Sequence, residues 1–392
     1  MKSESVFNVS LLLLAASFAM AQVPCGPTIN PLPTLFVNWS QFRFDVAHTG
    51  CNPYEHVLSS STVGSLAERW HYSTGPHYLS IVTGEPTVAN GAVYFASNDS
   101  ETHDYSVYAV NASTGVLAWK HQIGDLLGDS PIVANGIAYV GTISSPYAVW
   151  ALNASTGAVI WQSTAPAPVQ APLAISNGRL YAVSLDGTLL ALDAGTGAVL
   201  WSKYTGPNPP AGDAAPAIAN NKVYFAAGDA NLYALDAATG ALVWKAPLGN
   251  VESPTIAGNR VYVSSFTDSV YALNADTGAV IWAAPVKPFG CCEAVARGVV
   301  YVPSFDYNVY ALNAGTGTVL WKYATDNFVY FASVANGVVY AATDDAIYAL
   351  DATTGSLLWS GRPAFGVGAP LTVTNGWLYV TSIDSVLGYA LQ

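Results

Sequence analysis

The chain is poor in charged residues, and basic residues are the scarcest of them. Only 10% of its 392 residues are charged, and 13 Lys and Arg stand against 25 Asp and Glu, for a formal net charge of −12. Nucleic acids and anionic membrane surfaces are bound through clustered basic residues. The composition therefore argues against both as partners, while 52% hydrophobic residues indicate many buried faces.

Long hydrophobic runs are absent after the N-terminus, so we expect no transmembrane segment. At the N-terminus, Lys2 precedes the apolar run LLLLAASFAM, and the small residues Ala19 and Ala21 precede a cleavage site after Ala21. This is the pattern of a secretory signal peptide. We predict a signal peptide over 1–21 and an exported protein, either periplasmic or extracellular.

Cysteine is scarce too, with four residues that allow three pairings. Cys25 and Cys51 share the N-terminal segment, and we predict that they pair. Cys291 and Cys292 are adjacent. Neighbouring Cα atoms lie about 3.8 Å apart, below the usual disulfide range of about 4.4–6.8 Å, so a ring would need a distorted peptide. A vicinal disulfide and two thiols or another pairing both remain open.

What the chain does contain is a tandem repeat. LYALDAATGALVW (232–244) recurs as VYAVNASTGVLAW (107–119), VYALNADTGAVIW (270–282) and related segments, and a second element such as EPTVANGAVYFAS (85–97) precedes each. Each unit reads as four short strands, with a hairpin signal at Asn-Gly and a turn at [DN]-A-x-T-G. The tryptophans that we predict to pack between units are Trp70, Trp119, Trp161, Trp201, Trp244, Trp282, Trp321 and Trp359.

Four-stranded units in tandem predict an all-β fold, a β-propeller of antiparallel blades. The last unit (369–392) stops after its third strand, and the segment 63–70 supplies a strand that ends in tryptophan. We therefore predict eight blades over 63–392, with the N-terminal strand completing the last blade against 386–391. Residues 22–62 form an N-terminal arm in this interpretation, and a wide central channel is expected.

The repeat SPxVANGxVYV…VYALDAxTGxxLW resembles the pyrroloquinoline-quinone (PQQ)-like repeat. The lead-in WSQFRFDVAHTGCNPYE…VGSLAERWHYSTG is also similar to that of such proteins, and the likeness covers residues 39–392. The resemblance implies the propeller fold. One branch of the family contains quinoprotein alcohol dehydrogenases that use PQQ and Ca²⁺, and another contains non-enzymatic scaffolds of the BamB type, so it does not decide the function.

An enzyme of the first branch needs oxygen ligands for Ca²⁺, a carboxylate base and a cation beside the quinone. Candidate cofactor-binding residues at the channel mouth are Glu85, Asp129, Glu252, Cys291, Cys292 and Glu293, which lie at or beside the start of a first strand. No Arg or Lys occupies the equivalent repeat positions, no Cys-x-x-Cys-His motif is present, and the loops are short. No catalytic residue can be assigned.

The sequence therefore favours an exported, non-catalytic binding or scaffold propeller, with protein or cell-envelope polymer partners and without a cofactor or metal. The alternative is a quinoprotein alcohol dehydrogenase that binds PQQ and Ca²⁺. A third hypothesis is a polymer- or carbohydrate-binding module that uses the aromatic residues Phe305, Tyr307 and Tyr330 near the blade tops.

Overall fold

The computed structural model describes residues 37–75, 80–206, 214–266, 269–289, 293–364 and 366–392. The predicted signal peptide, Cys25, Cys291 and Cys292 lie outside the described residues. Within them the fold is an eight-bladed β-propeller of four-stranded antiparallel sheets, as the repeat predicts. One short 3₁₀ helix, Val63–Ser65, precedes the blades. No helix of the described chain is long and apolar enough to cross a membrane.

The blades are numbered in chain order, and the strands of each are as follows. Blade one has Ser80–Ala89, Ala92–Asp99, Asp104–Asn111 and Leu117–Gln122. Blade two has Ile132–Ala134, Ile137–Gly141, Ala148–Asn153 and Val159–Thr164. Blade three has Ala174–Ser176, Arg179–Val183, Thr188–Asp193 and Val199–Tyr204. Blade four has Ala217–Ala219, Lys222–Ala227, Asn231–Asp236 and Leu242–Pro247.

Blade five has Thr255–Ala257, Arg260–Ser265, Ser269–Asn274 and Val280–Ala284. Blade six has Ala294–Ala296, Val299–Pro303, Asn308–Asn313 and Val319–Ala324. Blade seven has Phe331–Ala335, Val338–Ala342, Ile347–Asp351 and Leu357–Gly361, and the short strand Cys51–Asn52 extends it. Blade eight has Thr372–Thr374, Trp377–Thr381 and Ser385–Leu391, and its fourth strand is Leu66–Ser73.

Blade eight closes the ring without a covalent link. Leu66 pairs with Leu391 and Ser73 with Ser385, in an antiparallel register with one irregularity. The prediction that the N-terminal strand completes the last blade is therefore confirmed. Because the N-terminal strand Leu66–Ser73 and the C-terminal strand Ser385–Leu391 pair in one sheet, the closure leaves no unpaired backbone between them.

The turn between the third and fourth strands is built by one side chain. In blade four, Asp236 Oδ1 accepts the N–H groups of Ala238 and Thr239 at 3.1 and 2.8 Å, and the Thr239 hydroxyl at 2.7 Å. Gly240 follows with φ +71°, in the left-handed region that glycine enters without a steric penalty. The [DN]-A-x-T-G signature is therefore a local hydrogen-bonding unit.

The same turn receives the tryptophan of the preceding blade. Trp244 of blade four donates its indole N–H to the Ala275 carbonyl of blade five at 3.0 Å. A Cβ on Gly278 would lie 2.6 Å from the indole ring, so the close approach requires glycine. The residues that dock in this way onto the next blade are Trp70, Trp119, Trp161, Trp201, Trp244, Trp282 and Trp321.

The interface from blade seven to blade eight is different, because the third and fourth strands of blade eight, Ser385–Leu391 and Leu66–Ser73, are not consecutive in the chain and no such turn joins them. Trp359 packs edge-on against Tyr389 instead, with ring centroids 6.0 Å apart. The segment 55–65 covers the gap: Leu58 and Val63 are fully buried beside Trp359, and Glu55 accepts the Gly376 N–H at 3.0 Å.

Candidate functional site in the central channel

The first strands of neighbouring blades contact one another in a ring around the central axis. Residues 37–52 of the predicted N-terminal arm (22–62) run through this ring, and they are called the arm from here on. The amides of Val88, Val133, Ile218, Ile256, Val295 and Val334 donate to arm carbonyl oxygens at 2.5–2.8 Å. The Ile175 amide donates to the Gln41 side chain, and Val37 exchanges hydrogen bonds with Asn375 of blade eight.

The bonded amides occupy the equivalent position of successive blades, just before the turn that ends each first strand. The expectation of a wide open channel is therefore wrong for the level at which the arm lies. The repeat has no unit that resembles the arm, so repeat counting alone could not place it there.

The arm is held in its curved path by Asp45. Its Oδ1 accepts the N–H groups of Ala47 and Thr49 at 3.1 and 3.0 Å, and its Oδ2 accepts the Thr49 hydroxyl at 2.7 Å. Arg43 and His48 have φ +57° and +58°, a conformation that non-glycine residues rarely adopt. Such strain persists only where surrounding contacts impose it.

Arg43 is the charged centre of the arm and is 1% exposed. Its backbone N–H donates to Glu85 Oε2 at 2.7 Å, and its Nη2 donates to the backbone carbonyls of Glu293 and Ala332 at 2.9 and 2.6 Å. One arginine thus bridges blades one, six and seven. Burial lowers the pKa of Arg43, while Glu85 and Glu293 raise it.

Glu85 and Glu293 face this guanidinium from blades one and six. Burial raises the pKa of Glu85 to about 7, against the opposing effect of Arg43. Burial also raises the pKa of Glu293, whose carboxylate accepts the Ser264 hydroxyl. Glu85 Oε1 and Glu293 Oε2 are buried without a hydrogen-bond partner among the described residues.

Of the other predicted carboxylates, Glu252 is connected to this cluster through Ser264. It is 7% exposed, and its N–H donates to the carbonyl of Ser264 at 3.3 Å, the residue that bonds Glu293. Asp129 is half-buried and bonds the Ser130 N–H at 2.6 Å. Its carboxylate lies against Gly84, since a Cβ there would overlap it.

The structure thus joins Glu85 and Glu293 through Arg43, with Glu252 beside them and Asp129 against the backbone next to Glu85. The cation that the repeat positions do not supply comes from the arm, as Arg43. The only sequence signal for Arg43 is a polar and aromatic lead-in that matches no blade.

Cys51 follows Gly50 at the end of the arm and forms a disulfide bond. It is the only cysteine among the described residues, so its partner lies outside them, and pairing with Cys25 stays a prediction. The neighbouring backbone is tightly fitted: Gly50 has φ +60°, and a Cβ there would lie 2.3 Å from Arg43 Nη2.

A planar quinone with a Ca²⁺ ion would require free oxygen ligands from this cluster. One oxygen of Glu85 accepts an arm amide, one oxygen of Glu293 accepts a serine hydroxyl, and Arg43 Nη2 is engaged by two carbonyls. Glu85 and Arg43 thus bind the arm to the blades, and the Glu293 carboxylate joins blades five and six. The described residues of the cluster therefore do not fit a bound quinone at this level of the channel.

The eight blades, the Trp–Gly docking and the arm in the channel define the class: a PQQ-like repeat propeller. A family model described as outer membrane protein assembly factor BamB matches residues 103–253, 229–327 and 326–391. The chain belongs to this family.

Solved structures agree on the fold. BamB from Moraxella catarrhalis is 21% identical, with a TM-score of 0.69, over 83% of this chain and 98% of that one. Quinohemoprotein alcohol dehydrogenase ADHIIG from Pseudomonas putida HK5 is 16% identical, with a TM-score of 0.76, over 91% and 80%. At these identities the likeness shows the fold alone.

A curated relative is the dehydrogenase subunit of a quinone-dependent alcohol dehydrogenase of Gluconobacter oxydans (strain 621H). It is 25% identical over 170 residues, which are 43% of this chain and 17% of that protein. The match therefore spans about a sixth of the relative's length. Scaffold and enzyme both occur among the proteins to which this chain is similar.

Proposed function

We propose that the protein is an exported, non-catalytic scaffold that presents the faces of its propeller to protein or cell-envelope polymer partners. The observation that carries the proposal is the occupied channel. The arm donates and accepts hydrogen bonds around the ring, and Arg43 engages Glu85 and Glu293, the two most buried of the predicted cofactor ligands.

The physical reason is that Glu85 accepts an arm amide and the Arg43 side chain is buried between the blades, so a cofactor could reach these carboxylates only by displacing the arm. Releasing Arg43 would leave Glu85 and Glu293 in the interior without a counter-charge, which costs several kcal/mol. The arm is also joined to the fourth strand of blade eight through 53–65, so displacing it disturbs the closure of the ring. Binding at an outer face requires neither change.

The experiment adds PQQ and Ca²⁺ to the purified mature protein. We expect no retained quinone absorbance after gel filtration from high micromolar PQQ, and no dye-linked oxidation of alcohols. The variant Arg43→Gln tests whether the arm excludes the quinone: if it does, weakening the arm should allow some PQQ to be retained, still without oxidation of alcohols. Stoichiometric PQQ with alcohol oxidation in the wild-type protein would refute the scaffold and favour the quinoprotein dehydrogenase.

Export is tested separately by expressing the full chain in a bacterial host and determining the N-terminus of the accumulated protein by mass spectrometry. The signal peptide predicts a mature N-terminus at Gln22 and recovery outside the cytoplasm. A cytoplasmic protein that retains Met1 would contradict export without affecting the test for quinone binding.

A further inference from the structure

An aromatic surface interrupts the symmetry of the propeller at blades six and seven. It lies on the loop face, the face that carries the connections between blades and the turns between second and third strands. Five side chains form it, and we call them the aromatic row: Tyr307, Phe328, Phe305, Phe289 and Tyr330. Successive ring centroids along it are 4.8, 5.6, 4.6 and 4.5 Å apart.

The row is accessible. Phe305 and Tyr307 are 40% and 46% exposed, and the other three rings are half-buried. The repeat does not demand aromatic residues here, since the corresponding turn of blade three has Leu185 and Gly187 where blade six has Phe305 and Tyr307. A continuous exposed apolar patch commonly marks a binding surface.

The backbone of Tyr307 is strained. It has φ +65°, and the residues in the same position of the turn are Gly187 in blade three and Ala230 in blade four, with φ +89° and +63°. A bulky side chain in this conformation is an outlier, because its Cβ crowds the backbone where glycine would not. Strain of this kind is characteristic of functional positions.

The charges around the row identify the kind of occupant. Arg362 pairs with Asp326 and Asp345 at 3.1 and 2.6 Å. Although burial raises the pKa of Asp306, hydrogen bonds from Tyr310, Asn308 and Ser304, with a smaller contribution from Lys322, lower it overall. Around the row the carboxylates of Asp306, Asp326, Asp344 and Asp345 outnumber the basic groups of Lys322 and Arg362, which disfavours an anionic polymer. Hydrogen-bond acceptors remain: Asp344 accepts the Tyr330 hydroxyl at 3.0 Å and has further lone pairs.

We propose that the aromatic row binds an extended, uncharged polysaccharide, which deepens the proposed scaffold function by naming the class of polymer partner. The C–H faces of successive sugar rings would pack on the rings of Phe305 and Tyr307, as apolar surfaces do on aromatic side chains. The sugar hydroxyls would donate to Asp344, so polar groups fix the register of the polymer.

The test is native electrophoresis of the mature protein in gels that contain galactomannan, xyloglucan or hydroxyethylcellulose, all soluble and uncharged. At least one polymer should retard the wild-type protein. The double variant Phe305→Ala, Tyr307→Ala should lose at least about tenfold of the affinity derived from the retardation. Absence of retardation in all three gels, or equal retardation of the double variant, overturns the proposal.

Phe266 supplies the matched control. It occupies in blade five the position of Phe305 in blade six, is 42% exposed and makes no ring contact with another described residue. Phe266→Ala should leave the retardation within twofold. An equal loss in this variant would mean that exposed phenylalanine in general, and not the row, holds the polymer, and would overturn the proposal.

Tyr307→Gly separates binding from folding. Relief of the left-handed strain should keep or raise the melting temperature, while polysaccharide affinity falls. A lower melting temperature with unchanged affinity contradicts the role of Tyr307. If fluorescent oligolysine binds and the double variant abolishes it, without retardation in any gel, the row serves a cationic protein segment instead. None of these results depends on whether PQQ binds, so they are distinguishable from failure of the scaffold.

Discussion

Seven interfaces between blades follow one rule, and the eighth does not. At the regular interfaces a tryptophan donates to an alanine carbonyl of the next blade and packs on a glycine with positive φ, as Trp244 does on Gly278. At the interface between blades seven and eight the turn is missing, and the segment 55–65 covers Trp359 in its place. The repeat therefore builds the ring, while a non-repeated segment closes it.

This difference explains where the individual chemistry of the molecule lies. At a regular interface the indole of one blade lies against a glycine of the next, and this close contact restricts which residues can replace either of them. The arm is free of that rule, and it brings Arg43, Asp45 and His48 into the interior. Because His48 is fully buried beside Arg43, its pKa falls to about 3, and it stays neutral.

The largest expected difference between the two kinds of interface is the cost of removing the indole. Trp244→Ala should lower the free energy of unfolding by about 3–5 kcal/mol, since it leaves a cavity and removes one of the two donors, the indole and the Tyr224 hydroxyl, that bond the Ala275 carbonyl. Trp359→Ala should cost about 1–3 kcal/mol, because Trp359 is half-buried and docks on no such turn. Urea unfolding of both variants measures the difference.

Equal losses for the two tryptophans would contradict the comparison, since they would mean that the covering segment replaces the regular turn in full. Val57→Ala serves as the control, because Val57 is 39% exposed at the edge of that segment, and it should change stability by less than about 1 kcal/mol.

Much of the fold could be predicted from the sequence, because the information is local and repeated. The Asn-Gly and [DN]-A-x-T-G motifs predict turns with known hydrogen-bond patterns. A strand that ends in Trp70 and belongs to no complete unit predicts the closure of the ring. The arm could not be placed in this way. Its bonds to the blades join backbone groups that any residue carries, and the sequence does not mark such groups.

About half of the candidate site could be predicted, because the sequence reveals only those residues that depart from the repeat pattern. Glu85 and Glu293 stand out because the repeat carries uncharged residues at most equivalent positions, and both are found facing one buried cation. Arg43 was missed, since it reaches them from a segment more than two hundred residues before Glu293. The aromatic residues Phe305, Tyr307 and Tyr330 were visible singly, but Phe289 and Phe328 join the row only through tertiary contacts.

The arm and the regular blades should also differ in their response to pH. The pKa of Glu85 is about 7 in the folded protein, against an ordinary value of 4.5, so folding takes up a proton between these values. The stability that Glu85 contributes is therefore fully present below about pH 4.5 and is lost as the pH rises through 7. Glu293 and Asp45, whose pKa values burial also raises, act in the same direction.

Glu85→Gln should remove most of this decrease in the free energy of unfolding with rising pH. The loss of stability between about pH 4.5 and 7.5 should shrink by up to about 3 kcal/mol, as one pKa unit corresponds to about 1.4 kcal/mol. Thermal unfolding across this range measures it, and Glu68→Gln, at the exposed end of blade eight, is the control. An unchanged slope would place the buried titration elsewhere.

A smaller effect is expected when a methyl group is added to the glycine of a regular interface. Gly278 and Gly258 both have positive φ, so alanine carries a similar backbone penalty at either position. Only at Gly278 would the new Cβ meet an indole, at 2.6 Å, whereas nothing lies within 4 Å at Gly258. Gly278→Ala should therefore cost about 1–3 kcal/mol more than Gly258→Ala. Similar midpoints in urea would show that the indole can shift without loss.

The smallest effect compares two tyrosine hydroxyls. Tyr262 donates to the Ala314 carbonyl at 3.2 Å across a regular interface, so Tyr262→Phe should cost about 1 kcal/mol. Tyr340 occupies the same position in blade seven, but no such carbonyl exists in blade eight, and its hydroxyl is buried without a partner among the described residues. Burial raises the pKa of Tyr340 well above its ordinary value. Tyr340→Phe should therefore be neutral or stabilising, because it removes a polar group that lost its water and gained no bond. A loss as large as that of Tyr262→Phe would mean that the covering segment supplies a water-mediated partner.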